Sequence, residues 1–332
     1  MYAKILVPLD TSPFSEQALT RAVAIARATM AQLHLVLVHS PPAYPVDGGA
    51  LVGLGLLEQE RAYFDGFMQG AAADLERRHG LKVHTALLDG PVVESISAYA
   101  REQGMDLIVL ATHGRTGLSR AWLGSVADGV VRHATMPVLM VRPKEHAPGQ
   151  THEGDGDLFK RVLVALDGSE TAERIIEHAY ALGASAGATY FLVRVVPPVP
   201  LPVPNYGVPN LVAAIVPDPE ATEHLVADAR DDLGRVARGL RARGASTVDI
   251  RVHVASSAGP VLADLARACD ADLIAMTSHG RGASRLLMGS VADKVLRGTD
   301  CEVLLYRTQA AARSAAESTG YRAEDASHPV PA

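Results

Sequence analysis

The sequence predicts an α/β protein built as two tandem doubly wound parallel-sheet domains, and three observations carry that prediction. First, the chain repeats itself. Lys4 to Leu19, KILVPLDTSPFSEQAL, returns from Arg161 to Ile176 as RVLVALDGSETAERII, and Ala111 to Arg132 returns from Thr277 to Arg297, both copies holding GSVAD before a helical segment. Second, short apolar runs such as Ile5 to Leu9 are continuous rather than alternating, as in strands buried on both faces of a parallel sheet. Third, such runs are separated by stretches with helical periodicity, which implies right-handed crossovers.

Taken in order, Ile5 to Leu9 forms the first strand and ends on Asp10. Ser12 is placed to cap a helix with Pro13 at its first position, and Ala18, Leu19, Ala22, Val23, Ile25 and Ala26 give that helix one apolar face. Leu33 to Val38 is a second strand, Leu56 to His79 a long helix and Val83 to Leu87 a third strand. Pro91 to Gln103 is a helix, Leu107 to Ala111 a fourth strand, Ser125 to His133 a helix and Val138 to Val141 a fifth strand. The second copy follows the same plan from Val162 to Arg307. The expected divisions are a domain over 1–145, a polar glycine-containing linker over 146–157, a second domain over 158–308 and a flexible tail over 309–332. After the second strand the copies differ: Pro41 to Leu57 is a glycine-rich loop, and Pro197 to Pro209 a proline-dense run that favours extended geometry. Each is either a lid over the strand ends or a plain surface crossover.

Composition narrows the function. At 332 residues, 48% hydrophobic and 20% charged, the chain can bury two cores. A net charge of -6 with no basic run argues against nucleic acid, and no apolar stretch is long enough to span a bilayer. Met1 to Lys4 leads straight into apolar residues without a secretory pattern, and Cys269 and Cys301 form no Cys-x-x-Cys pair, so the expected setting is cytoplasmic and reducing.

Ligands of open parallel sheets sit at the carboxyl ends of the strands, where Asp10, Asp167, His113 and His279 all fall. After the fourth strand, Gly114 and Gly124 let backbone approach a ligand, and the helix opening at Ser125 offers N–H groups to an anion. Arg115 and Arg120 between them are either phosphate clamps or surface cations. Two readings of the serine stand side by side: Ser125-Val126-Ala127-Asp128, and Ser290 to Asp293 after it, also fit a helix-capping box. Asp10 and Asp167 are either ligand contacts or strand-end caps. His113 and His279 lack further ligands at metal spacing, so no dedicated metal site is expected.

Across residues 1 to 308 both copies resemble the universal stress protein family. Its nucleotide-binding subgroup carries glycine, two residues, glycine, nine residues, glycine, then serine or threonine. The first copy reads Ala111-Thr112-His113-Gly114, nine residues, Gly124-Ser125, with alanine at the first glycine. The resemblance implies an adenine nucleotide alpha hydrolase-like, Rossmann-like fold that binds ATP, with Mg or Mn held through its phosphates. It implies Pro8, Leu9 and Asp10 against the adenosine, Ser40 at a backbone contact to adenine, and Gly114, Gly124, Ser125 and Val126 around the phosphates. In the second copy Asp167, Val195, Gly280, Gly289 and Ser290 keep the outline, but Thr277 and Ala165 replace the first glycine and the proline. Only eight residues separate its later glycines, a shortening of up to ~3.3–3.6 Å of reach. The first copy is therefore the expected ATP site. No nucleophile with a base stands out, so no catalytic residue is assigned. The function implied is a nucleotide-dependent stress or signalling protein; a slow ATPase or nucleotidyl transferase, and a scaffold without nucleotide, are the alternatives. The resemblance further implies pairing of the fifth strands between the two copies, and a homodimer.

Overall fold

The computed structural model describes residues 2–40, 50–112, 123–142, 158–201, 217–278 and 288–307. Two compact units emerge. The first holds the described residues of Met1–Leu158, with those of Thr277–Gly289 and from Glu302 onward; the second holds Phe159–Met276 and Ser290–Cys301.

In the first unit the order along the chain is β1 (Lys4–Leu9), α1 (Pro13–Thr29), β2 (Gln32–His39), α2 (Ala50–His79), β3 (Val83–Asp89), α3 (Val92–Glu102), β4 (Leu107–Ala111), α4 (Ser125–His133) and β5 (Val138–Val141). Its strands lie in the order β3-β2-β1-β4-β5, all parallel, so the order reverses between β1 and β4. The apolar runs read from the sequence are its core: Ile5, Leu6, Val7, Leu107, Ile108 and Val109 are fully buried. The expected cap of α1 is present, with the Ser12 hydroxyl accepting from the Ser15 N–H and Pro13 opening the helix. The glycine-rich segment expected to loop as far as Leu57 does not: α2 begins at Ala50, six residues before the predicted start.

The second unit contains β6 (Arg161–Ala165), a helix broken at Arg174 into α5 (Glu170–Glu173) and α6 (Ile175–Gly183), β7 (Thr189–Val196), α7 (Pro219–Ala242), β8 (Thr247–Val254), α8 (Ala258–Ala268), β9 (Leu273–Thr277) and α9 (Ser290–Gly298). Here β9, β6, β7 and β8 are neighbours in that order, and β6 pairs in parallel with both β9 and β7. The 146–157 linker and the 309–332 tail fall outside the described residues. Among the described residues no helix is long and apolar enough to cross a membrane.

The last strand, β10 (Glu302–Tyr306), belongs by sequence to the second repeat yet groups with the first unit. It runs antiparallel to β5, with Val303, Leu304 and Leu305 opposite Met140, Leu139 and Val138. Glu302 occupies the place of Pro137 in the first repeat, and its carboxylate takes Arg21 of α1 at 2.7 Å, both side chains nearly buried. The proline-to-glutamate change thus supplies a charge partner where the strand begins.

Compensation also appears within the helix pairs. A β-carbon on Gly129 of α4 would stand 2.5 Å from Val93 of α3. At the matching positions of the second unit the sizes are reversed: Gly259 of α8 makes room for Lys294 of α9, whose Cβ would be 2.5 Å from a β-carbon on the glycine. Close-packed interiors resist added volume, so each glycine is needed by its own partner. Gly129→Lys alone should cost about 1–3 kcal/mol, and adding Val93→Gly should recover part of it. A double-mutant cycle in urea showing coupling below about 0.5 kcal/mol would refute the pairing.

At the other end of the sheet His34 of β2 stacks on His84 of β3 with ring centroids 4.7 Å apart, and its Nδ1 lies 3.0 Å from the Tyr99 hydroxyl. Burial, then His84 and the charges of Lys4 and Lys82, push its pKa down to about 4. A histidine held neutral in the fold takes up a proton first in the unfolded chain. Stability is therefore full above about pH 6.5 and falls as the pH drops toward 4, by an amount on the order of 1–3 kcal/mol. Urea midpoints between pH 7 and 4 should show this decline, and His34→Phe should flatten it.

Candidate functional site

The first unit carries a cavity of about 380 Å³ at the carboxyl ends of β2, β1 and β4. This is the crevice where the strand order reverses, the place open α/β sheets leave for ligands. Its volume lies within the range of small-molecule sites. Pro8, Leu9 and Asp10 enter from β1, Val36 to Ser40 from β2, and Leu110, Ala111 and Thr112 from β4. Phe64 and Glu60 of α2 and Val92 and Ile96 of α3 close the sides, and Gly124 to Ala127 bring in the start of α4.

Asp10 is organised by the chain around it. Its Oδ1 accepts the Ser12 N–H at 3.0 Å and the Ser12 hydroxyl at 2.5 Å, which fixes the turn from β1 into α1. Thr11, between them, has φ 62, an uncommon conformation for a β-branched residue. The second unit repeats the arrangement: Asp167 accepts from the Ser169 N–H at 2.9 Å and its hydroxyl at 2.6 Å, with Gly168 at φ 83 in place of Thr11. Both aspartates thus have a structural task, and Asp10 in addition lines the cavity.

At the opposite wall Gly124, not Ser125, is the N-cap of α4, and no side chain caps the helix. The capping-box reading of Ser125 is therefore overturned. Ser125 stands inside the first turn, and Asp128 pairs forward with Arg132 at 2.8 Å instead of reaching back. The cause lies in the backbone: the Gly124 N–H donates to the Thr112 carbonyl at 2.8 Å, tying the helix entry to the end of β4, and the Gly124 carbonyl accepts from the Asp128 N–H. First-turn N–H groups without a side-chain cap beside a cavity attract anions.

The shortened loop of the second repeat does not spread its ends. The Gly289 N–H donates to the Ser278 carbonyl at 2.9 Å, matching the Gly124 bond within 0.1 Å. At this closure the shortening costs no hydrogen bond; residues 279–287 lie outside the described residues.

Of the residues singled out in the sequence, the structure gathers Pro8, Leu9, Asp10, Ser40, Ala111, Gly124, Ser125 and Val126 around one cavity. His113, Gly114, Arg115, Arg120, His279 and Gly280 lie outside the described residues. Val195 is half-buried on β7, and Ser290 opens α9. Sequence reasoning missed the wall formed by His39, Glu60 and Phe64. Buried His39 has its Nε2 3.2 Å from the Glu60 carboxylate and its Nδ1 3.7 Å from Asp89, which also pairs with Arg61, while its ring meets Phe64 edge-on. The available signal was a polar residue ending an apolar strand, with an acid and an aromatic four residues apart on the following helix.

A sequence profile of the universal stress protein family matches residues 1–142 and again 158–307. The chain belongs to the universal stress protein family. It is a tandem member. A universal stress protein of Mycolicibacterium smegmatis is 25% identical over 316 residues, covering 91% of this chain and 96% of the relative. One from Methanocaldococcus jannaschii is 34% identical over 152 residues, 44% of this chain and 85% of its own length. Among solved structures, a universal stress protein from Archaeoglobus fulgidus superposes with a TM-score of 0.63 at 20% identity, over 92% of this chain and 98% of that one. One from Pseudomonas aeruginosa gives 0.62 at 20% identity, over 96% and 98%. These structures share the fold.

The residues present fit an adenine nucleotide. Apolar groups such as Val38 and Phe64 offer faces to a base, Asp10 and Ser40 offer polar groups, and the start of α4 offers donors to phosphates; Ser125 and its neighbours are the residues that would hold them. The structural task of Asp10 can be tested by itself. Asp10→Asn keeps an oxygen for both Ser12 donors and should leave stability within about 1 kcal/mol, whereas Asp10→Ala should lose about 1–2 kcal/mol. Thermal melts of both variants check this, and equal losses would show that the charge itself holds the turn.

Proposed function

We propose that the first unit binds ATP, accompanied by Mg or Mn on its phosphates, and that occupancy of this cavity governs the protein's role in stress response or signalling. The observation that carries the reading is the start of α4. It enters a cavity of about 380 Å³ without a side-chain cap, across the strand ends from Asp10. Donors at one wall and apolar surface at the other match a ligand that is anionic at one end and aromatic at the other. The cavity reaches from the end of β2 to the start of α4. The same reading takes the chain to be a cytoplasmic protein that pairs with a second copy, which sedimentation at micromolar concentration tests.

Binding without chemistry is favoured over dedicated catalysis. A ligand that prefers one arrangement of the chain shifts its population by the difference in affinity, and turnover is not required. Protein purified without added nucleotide should release adenine nucleotide on denaturation, and the stripped chain should titrate with Mg-ATP in a calorimeter to about one equivalent. Gly124→Asp places a carboxylate at the entry to α4 and should weaken binding at least ~10-fold, equivalent to about 1.4 kcal/mol. No co-purified nucleotide together with no heat would defeat the proposal; sustained phosphate release from clean protein would add hydrolysis to it.

A further inference from the structure

The two units differ at a buried position beside the strand-end turn. Leu37 of β2 lines the first cavity. Strand pairing carries its place to Arg194 of β7: Pro8 is opposite Val36 as Ala165 is opposite Val193, and the next residues are Leu37 and Arg194. An arginine in a strand interior would ordinarily send its charge to solvent. Arg194 does not, and the residue is only 7% exposed.

Its guanidinium is held from two sides. Nη1 donates to the Asp232 carboxylate of α7 at 2.9 Å. The flat group also lies on Gly168, where a β-carbon would come within 2.6 Å of Nη1 and closer to Nη2 and Cζ. In the first unit this turn position is Thr11, which has a β-carbon and the same sign of φ. The helices above the strands complete the exchange. Aligned on their buried stripes, Phe64, Met68, Ala72 and Leu75 of α2 match Ala229, Leu233, Ala237 and Leu240 of α7. Phe64, part of the first cavity's wall, thus becomes a fully buried alanine. On the same alignment half-buried Phe67 becomes Asp232, so an apolar ring gives way to the carboxylate that Arg194 needs. Large-to-small changes at Thr11 and Phe64 accompany the small-to-large change at Leu37, and of these positions Leu37 and Phe64 line the first cavity.

We propose that Arg194 is a built-in plug: clamped by Asp232 over Gly168, its guanidinium fills in the second unit the space that Leu37 leaves open to ligand in the first. The chain consequently takes nucleotide at one repeat of the two. This rests on the reading of the first cavity as a nucleotide site, but it locates the asymmetry in the floor of the second unit rather than in its shortened loop.

Mg-ATP titration of the full-length chain by calorimetry tests the plug. The unsubstituted chain should bind one equivalent. Arg194→Leu, which installs the first unit's residue, should bind two, and the added site should survive Gly124→Asp in the same chain. Asp232 is half exposed, so water can solvate its carboxylate once the arginine is gone. Arg194→Met keeps an unbranched apolar stem and serves if the leucine variant loses its cooperative melt. Two equivalents in the unsubstituted chain, or no gain in a folded Arg194 variant, would overturn the plug. An unsubstituted chain that binds none would defeat the reading of the first cavity instead, and the variant would still decide the plug by gaining a site or failing to.

Discussion

The first unit depends on β1 being paired on both edges. Parallel partners β2 and β4 leave it no free hydrogen-bonding edge, and Ile5, Leu6 and Val7 are wholly withdrawn from water. Because the chain moves outward from β1 through β2 to β3 and then returns to β4 on its other side, the crossovers diverge above its carboxyl end. That divergence is the cavity. Asp10 sits there because the strand ends there, and α4 begins nearby because Gly124 is hydrogen-bonded to Thr112. A register slip of one residue would turn the buried side chains to the opposite face and move the Asp10 turn with them.

Much of this was legible in the sequence, for physical reasons that can be named. β4, α4 and β5 have the bounds read from the residues, since each apolar run is short, continuous and bordered by polar or turn-forming residues. The start of α2 was hidden because Gly53 and Gly55 oppose helix by propensity, at roughly 1 kcal/mol each relative to alanine. Site residues tied to strand ends were visible; those that meet through packing were not. His39 and Glu60 are twenty-one positions apart and share no periodic pattern, so their contact arises only when α2 lies over β2. Ser125 misled for a different reason. A serine followed three residues later by an acid has the capping signature, but the closure of Gly124 on Thr112 shifts the helix entry by one residue.

The repeats have diverged through sets of neighbours more than through single sites. Val93 with Gly129 answers Gly259 with Lys294, and Leu37 with Phe64 answers Arg194 with Ala229. Each set exchanges bulk between two elements while leaving the strands that support them in place. A duplicated domain can therefore change what its crevice contains without changing its topology, because the sheet and the crevice are stabilised by different side chains.

The grouping of β10 with the first unit has a consequence for how the gene can be divided. A fragment stopped in the segment between the repeats would encode every element from β1 to β5 and still lack a strand of its sheet. The peptide groups along β5 that now meet Val303 to Leu305 would lie bare, and Arg21 would lose the Glu302 carboxylate. An open edge of this kind seeks another strand, and the nearest supply at high concentration is a second fragment. The repeat boundary, natural as a unit of sequence, is thus a poor place to cut the polypeptide.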